Sequence, residues 1–184
     1  MNSHDVAESV PVWDLFVRMF HWSLVACVLI DYFVVDDGET LHQWLGYIAA
    51  GLVLVRVVWG FIGPEHARFA DFFPTTARLR AHLAALRSRQ PVFHAGHNPF
   101  GAVMMLTLMG LVLLLGLSGY METTDMFWGV EWIQETHEVL ADLLIGLVAL
   151  HVLASIVMSH LDRTNLVAAM LTGVKVRQGG GQSE

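Results

Sequence analysis

HEVLADLLIGLVALH, residues 137–151, is a helix-length apolar run that opens and closes on histidine. At about 100° per residue, fourteen steps fall roughly 40° short of four full turns. Both imidazoles therefore leave nearly one face of a single helix, about 21 Å apart along its axis. Imidazoles in an apolar span are costly and usually functional, so each calls for a partner on another helix.

Such a span is one of four. Residues 16–35, 41–62, 100–121 and 138–158 form apolar runs, each near the ~20 residues that cross a bilayer. The chain is 55% hydrophobic over 184 residues, above the roughly 45–50% of soluble domains. The first run carries Arg18, His21 and Asp31 and lacks a small-residue exit, so it reads as a span and not as a cleavable signal. The expected fold is all-α: an integral membrane four-helix bundle holding its cofactors between helices.

The ten Lys and Arg lie at the start of the first run, late in the second, in the central loop and after the fourth. Connections 36–40 and 122–136 contain none. The positive-inside rule then places both termini and the central loop of this multi-pass protein in the cytoplasm. Cys27 is the only cysteine, so no internal disulfide forms, and no C-x-x-C-H exists for covalent haem attachment. A net charge of −7 argues against nucleic acid.

The expected domain plan has a surface segment at 1–13, a transmembrane domain at 14–162 and a cytoplasmic tail at 163–184. Its helices are expected at about 16–35, 41–62, 99–121 and 137–160, with Asn98–Pro99 starting the third. PTTARLRAHLAALRSRQ supplies a basic amphipathic helix at about 75–89, lying on the inner leaflet. His66, His82 and His94 in this region read as solvated surface residues. The third span has no histidine and reads as a packing helix. The terminal VRQGGGQSE reads as disordered.

With this topology, depth sorts the span histidines into two pairs: His42/His137 at the outer face and His21/His151 toward the inner. Three chemistries use buried histidines. Zinc wants three or four ligands converging on one point, which two separated pairs do not offer. A proton relay needs acids between the pairs, with Asp31 and Asp142 as candidates. A haem needs two axial nitrogens from facing helices, and this arrangement provides them twice. Iron filled by two histidines favours electron transfer over oxygen binding. Gly46 and Gly51, after His42, leave room for a flat macrocycle; the alternative is close helix packing. Arg56 shares the face of His42 about 21 Å deeper. It is a candidate propionate contact, the alternative being snorkelling to headgroups. Arg18 can pair with Asp14 four residues before it and is a second propionate candidate. His97, in GHNP, is a candidate quinone or propionate contact.

VWDLFVRMFHW, LHQWLGYIAAGLVLVRVVWGFIGP, GHNPFGA and THEVLADLLIGLVALH together resemble the bacterial cytochrome b561 family, related to the cytochrome b subunit of nickel–iron hydrogenases, from about residue 11 to 173. The resemblance implies a four-helix bundle with two non-covalent haem b groups, His21, His42, His137 and His151 being the axial ligands to haem iron. It also implies electron transfer between the quinone pool and a periplasmic partner such as a c-type cytochrome, whether the chain is a simple carrier or a quinone-dependent oxidoreductase. The bundle is expected to sit in lipid, alone, as a homodimer or in a larger complex. One branch of the family is a superoxide:quinone oxidoreductase, but the outer loops here contain no lysine to guide that anion. A metal-ion transporter using the membrane histidines is the remaining rival and predicts a colourless protein carrying zinc.

Overall fold

The computed structural model describes residues 8–88, 96, 98–162 and 164–177. Four helices among them are long and apolar enough to cross a membrane: α1 (Leu15–Phe33), α2 (Thr40–Ile62), α5 (Pro99–Glu122) and α6 (Glu131–Leu161). Between α2 and α5 lie the short α3 (Phe69–Phe72) and α4 (Thr76–Arg87); α7 (Leu166–Thr172) follows α6. The protein is an all-α membrane bundle in which each span packs on the next, α1 on α2, α2 on α5 and α5 on α6.

The core joins Phe20 and Cys27 of α1, Ala49 and Val53 of α2, Met109 and Val112 of α5 and Leu144 of α6. Outside it, large apolar side chains face outward; Phe33 is 66% and Phe61 71% exposed. Water would penalise such a surface, whereas lipid requires only that the backbone satisfy itself, as a helix does.

Local signals set the helix starts. Asp14 caps α1, accepting from Val17 N at 2.8 Å, and Asn98 caps α5, accepting from Gly101 N at 2.7 Å ahead of Pro99. The Asp14–Arg18 pairing expected from spacing does not form. The Asp14 carboxylate is taken by its cap and by Trp59 Nε1 at 3.2 Å, while Arg18 Nη2 donates to the Leu171 carbonyl. The fourth helix outruns its apolar stretch, because the polar residues from Glu131 continue the same helix toward Gly129, whose φ of 71° makes the turn before it.

Two further departures come from contacts between distant parts of the chain. Residues 8–11 and 174–177 pair as antiparallel strands β1 (Glu8–Pro11) and β2 (Val174–Arg177), so Val176 and Arg177 belong to a strand and not to a disordered tail. Lys175 holds this clasp. It is 6% exposed, donates to the Gly96 carbonyl at 2.9 Å and lies 5.9 Å from the Trp13 ring; burial pushes its ammonium down to about 8. His82 is also not a surface residue. It is buried, with its ring 5.4 Å from Phe100, where α4 packs on α5.

α2 and α5 approach closely at one glycine: a Cβ on Gly116 would stand 2.7 Å from the Ala50 Cβ. Gly116→Val is therefore expected to cost about 1–3 kcal/mol by overpacking, read as a lower thermal midpoint in detergent. Gly110→Ala, on the same helix but with nothing within 4 Å of its Cβ, is the matched control and should leave the midpoint unchanged or raised.

Candidate functional site

At the end of the bundle away from the termini, His42 of α2 and His137 of α6 face each other. Their ring centroids are 6.0 Å apart and the planes are inclined at 73°. Each ring is held from behind at Nδ1. Ser118 Oγ lies 2.8 Å from Nδ1 of His137, and Asp31 Oδ1 lies 3.1 Å from Nδ1 of His42. The second contact is at ion-pair distance, but its alignment falls outside hydrogen-bond geometry and neither atom has another polar partner. With Ser118 on Nδ1 of His137 and Asp31 beside Nδ1 of His42, Nε2 of each ring would be the nitrogen available to a metal. This is the arrangement in which outer groups fix the tautomer and orientation of a metal-bound histidine.

The pair borders a cleft of about 1000 Å³ to which all four spans contribute, among them Cys27, Asp31, Gly46, Gly119 and Leu144. That is the upper end of the ~300–1000 Å³ usual for ligand pockets. Three features fit a bis-histidine haem. Imidazoles on opposite sides of one metal, with metal–nitrogen bonds of about 2 Å and ring centres about 1 Å beyond, stand roughly 6 Å apart. Gly46, one turn from His42, borders the cleft, and a Cβ there or on Gly51 would meet nothing within 4 Å. These glycines therefore provide open space and not the close helix packing that was the alternative. Gly119 keeps its surface flat for the ligand ring, since a Cβ there would lie 3.1 Å from His137 Cε1. Among the described residues no three His, Cys, Asp or Glu converge as a metal cluster.

The other two span histidines, His21 of α1 and His151 of α6, lie on the half of the bundle nearer the termini. Nδ1 of His21 is buried without a hydrogen-bond partner, and its ring packs edge-on to Trp22 at 5.1 Å.

Arg56 and Arg18, the two propionate candidates, also sit at this end. Arg56 is 1% exposed, so it does not snorkel. Its Nη2 donates to the Ala67 carbonyl at 3.0 Å, its guanidinium lies 5.6 Å from the Phe69 ring, and Nη1 is buried with no hydrogen-bond partner. Arg18 is tied to α7 through Leu171, with Nε buried and unpartnered. His97 lies outside the described residues. Asp142 accepts from the Tyr32 hydroxyl at 2.7 Å, linking α6 to α1 across the cleft. The sequence alone pointed to neither the Ser118 contact nor the Asp31 contact. A polar residue near the end of an otherwise apolar span is the one signal that marks both.

A sequence profile of the prokaryotic cytochrome b561 family matches residues 12–173. Among curated proteins the chain is similar to a probable Ni/Fe-hydrogenase B-type cytochrome subunit from Rhizobium leguminosarum bv. viciae, 30% identical over 61% of this chain and 59% of that one. Proteins of the same description from Bradyrhizobium diazoefficiens and Azotobacter vinelandii also match. The first is 22% identical over 90% of this chain and 85% of the relative, the second 30% identical over 53% and 52%. The chain thus spans between about half and three fifths of the Rhizobium and Azotobacter proteins. No solved structure matches it significantly. With a profile covering almost all of the helical bundle, and with facing histidines and a cleft suited to a b-type haem, the chain belongs to the prokaryotic cytochrome b561 family, which implies haem b and membrane electron transfer.

Proposed function

We propose that this chain is a di-haem electron-transfer protein of the bacterial inner membrane, with both termini in the cytoplasm. It passes electrons between the quinone pool and a periplasmic redox protein. The observation that carries the reading is the facing His42/His137 pair, 6.0 Å between ring centres, each ring engaged at Nδ1. His21 and His151 would hold the second haem. When bound, haem b supplies a reversible one-electron couple.

The chain's own residues do the rest. Two imidazoles per site would hold the iron and leave no room for a third ligand. Val112, Leu144 and Leu115 wall the outer site with hydrocarbon and keep water from the electron carrier. His137 and His151, about 21 Å apart along α6, would set the two sites in series across the bilayer. Arg56, with its spare Nη1, would neutralise a propionate at the inner site, and GHNP, just ahead of α5 in the sequence, would border the quinone.

For the partner, the acidic connections carry Asp36, Asp37, Glu39, Glu122, Asp125, Glu131 and Glu135 with no base among them, which suits a basic c-type cytochrome. The names of the relatives favour a second partner, a hydrogenase. Salt separates the two kinds of docking. Electron transfer to a basic cytochrome is expected to slow several-fold as ionic strength rises from ~0.01 to ~0.15 M, over which the screening length contracts from about 30 to 8 Å. A salt-independent rate would reject steering by these acids.

The reading itself is tested by a quantified visible spectrum of the purified protein. Two non-covalent haems per chain, with a sharp reduced α-band, are expected. A colourless protein would reject the reading.

A further inference from the structure

Resting on the haem reading above, we infer that Asp31 is a positioning residue that lowers the potential of the outer haem through its contact with His42. Four candidate ligand rings are present, and their surroundings differ. Asp31 Oδ1 stands 3.1 Å from Nδ1 of His42. Ser118, a neutral hydroxyl, stands behind His137 at 2.8 Å. Nδ1 of His21 is buried with no hydrogen-bond partner. Among the described residues, Asp31 is thus the one carboxylate at ion-pair distance from any of the four.

Asp31 lies in the last turn of α1, and an acid within an apolar span beside a candidate ligand calls for a role. Side-chain exposures of 20% for Asp31 and 26% for His42 keep the contact largely out of water, where charge acts more strongly than in solvent. A carboxylate behind an axial imidazole makes that ring a better electron donor and stabilises ferric over ferrous iron. Reduction adds an electron near a fixed negative charge, and the couple moves to lower potential. Ser118 orients its ring without adding charge. The two ligands of the outer site are therefore unequally supported, and among the described residues the inner pair has no such carboxylate. The outer haem is the lower-potential centre for this reason.

The test is a redox titration of the full-length protein, followed in the haem absorption bands, on wild type, Asp31→Asn, Asp31→Ser and Asp31→Glu. Each neutral variant is expected to raise one of the two potentials by at least a tenfold change in the reduction equilibrium, about 59 mV for a one-electron couple. The other potential should stay fixed, and Asp31→Glu should restore the wild-type value. The shifted haem must be the one lost in His42→Ala. Two retained haems with unchanged potentials would overturn the inference while leaving the haem reading intact. Loss of the outer haem from both neutral variants would make the carboxylate purely structural and also overturn it. A wild-type protein without haem would instead reject the reading on which it rests.

Discussion

His42→Ala is expected to remove one haem of two, halving the haem-to-protein ratio while the remaining haem keeps its spectrum. The loss should be close to complete at the affected site. Among the described residues His42 has no nearby histidine substitute: its facing ring is His137 at 6.0 Å, and His21 and His151 lie toward the other end of the bundle. A single remaining imidazole would leave the iron one ligand short and the macrocycle held on one side only. His137→Ala should empty the same site, and the double variant should lose no more than either single one, because residues that act as one unit are not additive. His151→Ala should empty the other site. The measurement is haem per chain, with the α-band of each variant resolved at low temperature. If His42→Ala and His151→Ala emptied the same site, the pairing would be wrong.

Arg56→Met is expected to destabilise the bundle by about 2–3 kcal/mol and to weaken the inner haem. Its guanidinium donates to the Ala67 carbonyl and stacks on Phe69. The Phe69 ring is pinned in turn, since a Cβ on Gly60 would lie 2.2 Å from it. A hydrogen bond from a charged donor contributes about 1.5–3 kcal/mol, and a cation–π contact about 0.5–2. Against this, methionine avoids the desolvation of a buried charge, and such replacements are sometimes neutral. The loss prevails here because the Ala67 carbonyl would be left without its donor. Arg56→Lys keeps the charge but not the planar fork and should fall between the two. Thermal midpoint and haem content are read together. A lowered midpoint with both haems retained at unchanged potential would assign Arg56 to packing alone and remove it from the haem site.

Local chemistry wrote much of this molecule into its sequence. Four apolar runs of membrane length, an Asn98–Pro99 start and the fourteen-residue spacing of His137 and His151 each follow from short-range periodicity. Because a helix fixes 100° and 1.5 Å per residue, a pair of histidines on one span has a definite face and depth before any tertiary contact exists. Spans that alternate in direction then sort the four histidines by depth.

Other features depended on residues far apart in the chain. Ser118 is nineteen positions from His137, and Asp31 reaches His42 from the preceding helix; their depths were legible, but not the rotation of each helix about its axis. The clasp of residues 8–11 with 174–177 joins the two ends of the chain, and four-residue strands leave too weak an alternation to be read locally. His82 looked like a surface residue because a histidine in a polar, basic stretch is usually solvated, and only the packing of α4 on α5 buries it. Sequence periodicity determined which residues share a face and at what height. The tertiary structure decided which faces meet, because helix rotation is set by the packing of side chains such as Gly116 against Ala50, and no single helix carries that information.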